Sequence, residues 1–356
     1  MNRILAINPG STSTKIAVFD GKEQVFVKNI KHSTEELSAY KKITDQTDFR
    51  KGVILKELGE NNIPLKSINI VIGRGGLVKP IPSGIYKVNA LMKEHLRDGY
   101  SGEHASNLGG LIADNIAQTI GLQASYIADP VVVDELQPVA RISGHPLFER
   151  VSIFHALNQK AVARQYANEI GKNYNQLNLI VAHMGGGISV GAHNNGRVID
   201  VNQALDGEGP FSPERAGTLP TGQLVNACFS GEYTKDELKK MLVGKGGYVG
   251  YFGTNDAYQI EKDAETGDEN AKLIQNAMAY QVAKAIGEAA IVLKGKADAI
   301  LLTGGIAYGK PIVDEITHYV DWIAAVKVYP GEDEMRALAF NALLILNAET
   351  EPNTYE

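Results

Sequence analysis

Two arginines in this chain stand among glycines: Arg74 in Gly73-Arg74-Gly75-Gly76, and Arg215 in the run D-G-E-G-P-F-S-P-E-R-A-G-T at residues 206–218. Glycine lets backbone and ligand come close to a guanidinium, whose planar fork matches carboxylate and phosphate oxygens. Three glycine-bearing bends accompany them. The first follows Asn8 and carries the hydroxyls of Ser11, Thr12, Ser13 and Thr14 and the charge of Lys15. The second places Gly185, Gly186 and Gly187 after His183, and the third is Gly304-Gly305, after an apolar run at 299–303. Successive backbone N–H groups at such bends can point at an anion. The chemistry within reach is therefore gripping phosphates and neutralising charge between anions. None of the bends is a Walker loop or has Rossmann spacing. Taken singly, each glycine pair is equally a plain turn, and a surface ion pair is the plainer alternative for each arginine, against which its glycine neighbours speak.

The elements that must hold these residues alternate between strand and helix. Residues 3–7 and 14–19 read as strands, with Val25 and Val27 continuing the alternation in a third. Residues 48–60 and 105–120 read as helices, followed by short apolar strands at 68–72 and 124–128. Further on, 153–169 is helical, and 177–183, 188–193 and Arg197–Val201 form a second three-strand pattern. An Ala-rich helix at 276–293 leads to the strand at 299–303, and the closing helix at 335–346 is apolar nearly all round, so it should be buried. This is an α/β pattern. The two three-strand patterns echo each other: apolar strand, polar residue, glycine bend, second strand, then Asp20-Gly21 or Asn195-Gly196. Such an echo predicts a duplicated domain.

Composition narrows the classes. The 356 residues are 44% hydrophobic and 21% charged with net charge −6, which is ordinary for a globular chain and too long for one core. No Lys/Arg stripe occurs, which argues against nucleic acid or an anionic membrane as partner. The single Cys228 allows neither an internal disulfide nor a cysteine metal site, so a reducing cytoplasm is expected. The amino end reads as a strand from Arg3 rather than a signal peptide, and no apolar run is long enough to span a bilayer.

The order of the bends resembles the superfamily of actin, heat-shock chaperones and sugar kinases, in which two related domains close on a nucleotide. Within it the chain resembles the acetate kinase family over nearly its whole length, and the butyrate kinase branch most closely. The likeness is carried by N-P-G-S-T-S-T-K at 8–15, G-E-H-A-S-N-L-G at 102–109, I-F-H-A-L-N-Q-K at 153–160, A-H-M-G-G-G at 182–187 and the run at 206–218. It implies an α/β, duplicated ribonuclease H-like (actin-like ATPase) two-domain fold with a central nucleotide cleft. Residues 1–142 plus 335–356 would form an acyl/phosphate domain closed by the C-terminal helix, and 143–334 a nucleotide-binding domain.

The resemblance also implies roles. Arg74 matches an arginine that contacts the carboxylate and the moving phosphoryl group, Asp129 an acid of the catalytic cleft, His155 a transition-state histidine and Arg215 a second active-site arginine. Asn8, Ser11, Thr12 and Lys15 match the first phosphate loop; His183, Gly185, Gly186, Gly187, Gly304, Gly305, Ile306 and Tyr308 match nucleotide-contacting segments. Gly75, Gly76, Glu103, His104 and Phe154 would line the acyl pocket, and Asn8, Asp129 and Glu334 would hold Mg²⁺. From the residues alone, His155 is also compatible with a hydrogen-bonded core histidine, Asp129-Pro130 with a turn, and Glu334 with an acid at a helix start.

Three departures from the family pattern matter. Gly75 and Gly76 replace two larger residues, which predicts room for a longer or branched acyl chain; Tyr258 replaces the arginine that approaches the adenine; and Gln159 replaces a second histidine. The implied activity is ATP-dependent phosphorylation of a short-chain carboxylate to an acyl phosphate and ADP, by a homodimer or higher homo-oligomer. Acetate or propionate kinase, and more remotely an actin-like ATPase switch, are the alternatives.

Overall fold

The computed structural model describes residues 2–356. It divides into two units: Met1–Val133 with Asp333–Glu356, and Asp134–Glu332.

The sheet of the first unit has the order β3-β2-β1-β4-β6-β5. Its strands are β1 (Arg3–Pro9), β2 (Ser13–Asp20), β3 (Glu23–Lys31), β4 (Ile70–Arg74), β5 (Ile85–Lys87) and β6 (Tyr126–Ala128). In the second unit, β7 (Asn178–Met184), β8 (Ile188–Asn194), β9 (Arg197–Val201), β10 (Ala299–Gly304) and β11 (Val326–Pro330) take the order β11-β10-β7-β8-β9. Each sheet joins an antiparallel meander, β1-β2-β3 or β7-β8-β9, to parallel strands on its other side, β4 and β6 or β10 and β11. The register slips in the second hairpin of both meanders, at Val18/Phe19 and at Ala192/His193. The echo seen in the sequence is thus a repeat of topology.

Side-chain alternation sets what each sheet face buries. Leu5, Ile7, Ile16 and Val18 pack with Ile54, Leu58, Leu108 and Ile112 from the helices Thr47–Glu60 and Asn107–Thr119. The closing helix Glu334–Leu346 packs against β1 and β4. In the second unit Leu179 and Val181 meet the helix Ala156–Glu169, while Ile180, Ala182, Val190 and Ala192 meet the helix Glu269–Val292.

Several boundaries differ from the sequence reading. The helix expected from residue 153 begins at Ala156, because His155 takes the N-cap with ψ 60° and turns Ile153 and Phe154 off the helix axis. The division between units falls before Asp134 rather than after residue 142. The intervening segment is tied into the second unit, by the Gln137 N–H to the Ile199 carbonyl (2.9 Å) and by buried Glu135 to Lys160 (2.7 Å). At the other end Asp333 caps the closing helix by accepting from the Arg336 N–H, which puts 333 and 334 in the first unit. That helix is not buried all round either, since Phe340 is 37% exposed.

Candidate active site

In the first unit, Asn8 and Arg74 lie at the ends of adjacent parallel strands, one residue past the paired Ile7 and Gly73. Lys15 is the register partner of Asn8 across the first bend. Glu334, at the start of the closing helix, meets both: its carboxylate lies 3.2 Å from Arg74 Nη1 and accepts from the Asn8 amide. Arg74 Nη1 is also 3.4 Å from Asn8 Oδ1. The acid that helix-start propensity alone would explain is thus part of a polar cluster.

The first bend is closed by Gly10 N–H to the Ser13 carbonyl (2.8 Å) and leaves Ser11, Thr12 and Lys15 exposed. Beneath it lies Arg50, 1% exposed, a residue that sequence reasoning missed. Its Nη1 donates to the carbonyls of Gly10 (2.7 Å) and Ser13 (2.9 Å) and to Thr14 Oγ1 (3.1 Å), and its Nη2 to the Ser11 carbonyl (3.0 Å). Drawing the carbonyls inward leaves the outer side of the bend to N–H and hydroxyl groups, as an anion requires. Burial pushes this guanidinium down to about 10, still charged at neutral pH. A signal was present: Arg50 stands in the i, i+4 row of Ile54 and Leu58, so a charge interrupts a buried stripe.

Asp129 follows β6, is 2% exposed and has a left-handed backbone, φ 37°. Its Oδ1 accepts from Ser83 Oγ (2.6 Å) and the Gly84 N–H (2.9 Å). A buried acid in an unfavourable backbone region, held by two donors, is a constraint typical of functional sites rather than of a free turn.

Gly75 and Gly76 do not leave open space. A Cβ on Gly75 would lie 2.5 Å from Pro130 Cβ, and one on Gly76 would lie 2.6 Å from Asn107 Cα and 2.7 Å from Leu96 Cδ2. The room expected from the missing side chains is filled by neighbouring protein. Glu103 and His104 are exposed just before the helix Asn107–Thr119, whereas Phe154, in the second unit, is 2% exposed.

In the second unit the other two bends meet. Gly304 and Gly331 exchange backbone hydrogen bonds (3.0 and 2.9 Å), and a Cβ on Gly304 would lie 2.3 Å from the Met184 carbonyl, at the foot of the His183–Gly187 bend. That bend is closed by Gly185 N–H to the Gly187 carbonyl (3.0 Å), and Ser212 Oγ donates to the Gly186 carbonyl (2.6 Å). Gly186, Gly305 and Tyr308 are exposed, while Ile306 is buried. Arg215 crosses Gly187 and donates to the Ala204 carbonyl; Ala204 N–H in turn holds the Ile153 carbonyl (2.9 Å), two residues before His155. Burial lowers the Arg215 guanidinium and adjacent Glu214 offsets part of that.

His155 and His183 stack, their ring centroids 3.9 Å apart at 18°. His155 Nδ1 is 2.9 Å from Ser189 Oγ, and His183 Nδ1 is 2.8 Å from Asn158 Oδ1. His155 is therefore hydrogen-bonded as a core histidine would be, yet stays partly exposed and beside the glycine bend. Tyr258 is 68% exposed with Lys262 Nζ 5.4 Å from its ring centroid, so a cation stands next to the ring that replaces the family arginine. A cavity of about 580 Å³ lies between β8–β9 and the helix Glu269–Val292, lined by Arg150, Asp200, Glu208, Tyr280 and Lys284 among others. None of the expected site residues line it, so it does not mark this chemistry.

The chain is 57% identical over 354 residues to butyrate kinase 2 of Clostridium acetobutylicum, which covers 99% of each chain. The model of the Acetokinase family matches residues 148–322. The chain belongs to the acetokinase family. Among solved structures, the acetokinase fold is matched by the Porphyromonas gingivalis acetate kinase (TM-score 0.79, 18% identity, 97% of this chain and 100% of that one). A propionate kinase from Francisella tularensis matches with TM-score 0.74 at 20% identity, over 96% of this chain and 99% of that one. These likenesses establish for this chain the duplicated actin-like α/β fold expected from the sequence.

Proposed function

We propose that this member of the family phosphorylates a short-chain carboxylate, butyrate or a branched relative, with ATP, giving an acyl phosphate and ADP. The observation that carries the reading is the full-length likeness, at 57% identity, to a butyrate kinase. The residues supply a matching chemistry.

A carboxylic acid with a pKa of about 4 is already ionised at neutral pH and needs no general base. A carboxylate oxygen attacks the γ-phosphorus, the bond to the β-phosphate oxygen breaks, and ADP departs with that electron pair. The obstacle is repulsion between two anions, and the remedy is cations and N–H donors around the moving group. In the first unit, Arg74 serves the carboxylate and phosphoryl oxygens, and the bend at Ser11, Thr12 and Lys15, braced by Arg50, serves the phosphates. In the second unit, Arg215 and His155 serve the transferring phosphoryl group. The bends at His183–Gly187 and Gly304–Tyr308 hold the nucleotide, with Tyr258 and Lys262 toward its base. The first unit is thus the acyl/phosphate unit and the second the nucleotide unit.

Mg²⁺ fits the donor set: Asp129 and Glu334 offer carboxylate oxygens and Asn8 an amide oxygen, the hard ligands this ion takes while keeping waters. Among the described residues no three His, Cys, Asp or Glu side chains cluster as a metal site. When bound, it would neutralise phosphate charge and align the phosphoryl group. The exposed thiol of Cys228 suits a reducing cytoplasm, and no helix among the described residues is long and apolar enough to cross a membrane. Exposed Val139, Ile142, Leu147 and Phe148 give the second unit apolar surface that a homo-oligomer would bury.

Steady-state rates with straight and branched acids from two to five carbons, in both directions, test the assignment. A maximum in kcat/KM at four carbons is expected. A maximum at acetate or propionate would reassign the substrate.

A further inference from the structure

Behind His155 runs a chain of hydrogen bonds whose direction is fixed, and that direction decides where the imidazole carries its hydrogen. Ser189, Gly191 and His193 share one face of β8, and Gln159 reaches them from the helix Ala156–Glu169. Gln159 Nε2 lies 3.0 Å from the Ser189 carbonyl oxygen, which can only accept. The amide must therefore turn its nitrogen toward Ser189 and its oxygen toward His193. In that orientation Nε2 also donates to Ser189 Oγ (2.8 Å), and Oε1 faces His193 Nε2 (2.9 Å). Gly191 makes the passage possible, since a Cβ there would lie 2.5 Å from Gln159 Oε1.

His193 is fully buried, and burial holds its pKa well below the usual value, so the ring is neutral. Its Nε2 carries the hydrogen toward Gln159, and its Nδ1 accepts from the Tyr174 hydroxyl (2.7 Å). At the other end, the buried Ser189 Oγ has three polar neighbours besides its own backbone: Gln159 Nε2, the His155 N–H at 3.5 Å and His155 Nδ1 at 2.9 Å. The first two only donate. Among the described residues, His155 Nδ1 is the acceptor left for the hydroxyl hydrogen.

We propose that Gln159 and Ser189 are positioning residues that, in the neutral form of His155, place the ring hydrogen on Nε2, so that the ring offers an N–H rather than a lone pair to the phosphoryl oxygens in transfer. With the hydrogen on Nδ1 instead, Ser189 Oγ would face donors on every side and its own buried hydrogen would have no acceptor. The donors run one way, from Tyr174 through His193, Gln159 and Ser189 to His155, so each bond reinforces the next. A lone pair turned toward a phosphoryl oxygen would repel it, whereas an N–H stabilises the charge it carries. The role of the N–H rests on the kinase reading above; the position of the hydrogen does not.

Nitrogen NMR of the full-length protein with labelled histidines reads the tautomer, since protonated and bare ring nitrogens resonate far apart; His155→Asn assigns the signals. The wild type is expected to show His155 with Nε2–H and a bare Nδ1. Ser189→Ala should mix the tautomers and lower kcat by about 10- to 100-fold, with KM for ATP within about twofold. Ser189→Thr, which keeps the hydroxyl, should restore both. Gln159→Glu, whose carboxylate accepts the Ser189 hydrogen, should move the His155 hydrogen to Nδ1. A wild-type protein with Nδ1–H, or a Ser189→Ala protein with unchanged tautomer and kcat, overturns the proposal. Absence of acyl phosphate formation with an intact Nε2–H signal would instead remove the kinase reading and leave the tautomer assignment standing.

Discussion

The guanidinium of Arg215 occupies the place a side chain on residue 187 would take: a Cβ there would sit 1.9 Å from Nη1 and 2.6 Å from Cζ. The third glycine of the bend after β7 is therefore matched to the arginine, and an arginine sits directly over the segment proposed to hold the nucleotide.

Gly187→Ala should act on the arginine rather than on the fold, because what the new methyl meets is the far end of a flexible side chain. Turnover is expected to fall about 100-fold or more, as for Arg215→Ala, with ATP affinity nearly intact in both. In the double variant the losses should not add, since both remove one guanidinium from one place. Steady-state kinetics of the two single variants and the double check this; additive losses would show independent roles.

Arg50 is expected to matter to stability and to nucleotide binding together. Arg50→Met leaves the Gly10 and Ser11 carbonyls without their donor and the Ser13 carbonyl with the Gly10 N–H alone, a loss of about 3 kcal/mol or more. The freed bend should raise KM for ATP more than it lowers kcat. Denaturant unfolding and initial rates check the pair, and an unchanged KM would separate Arg50 from the bend's function.

Gly76→Ala should reduce stability by about 1–3 kcal/mol, since the methyl would strike the backbone of Asn107. A denaturation midpoint equal to wild type would mean that the strand end shifts freely, and would reopen the acyl-pocket reading of this glycine.

Acid should weaken the protein through its buried histidines. Burial is the main cause lowering His193, with Lys160 and Arg164 adding to it; His32 is also lowered, by burial and by Arg50. Because the folded pKa is the lower one, the unfolded chain binds the proton first as pH falls below about 6.5. Stability is then lost toward acid, by up to about 1.4 kcal/mol per pH unit from His193. Denaturant midpoints near pH 7.5 and pH 5.5 should differ less in His193→Gln than in the wild type.

What the sequence made legible follows from what is local. Strand periodicity and the two hairpin turns placed the meanders and their repetition, and Arg74 and Arg215 stood out because their glycine neighbours are adjacent in the chain. Gln159 stood out only as the replacement of a histidine, because its partners Ser189 and His193 come from a strand some thirty residues away and only the fold aligns them. Gly76 misled for the same reason: its missing side chain suggested space, while the helix that fills that space begins at Asn107. The helix start at Ala156 was also set by tertiary structure, with the His155 ring and N–H both turned toward Ser189.

The central claim, transfer of phosphate to a carboxylate, is tested most directly by incubating the protein with ATP, Mg²⁺, butyrate and hydroxylamine. The account predicts butyryl hydroxamate formed in step with ADP and absent without butyrate. ADP produced at the same rate with no hydroxamate would contradict it.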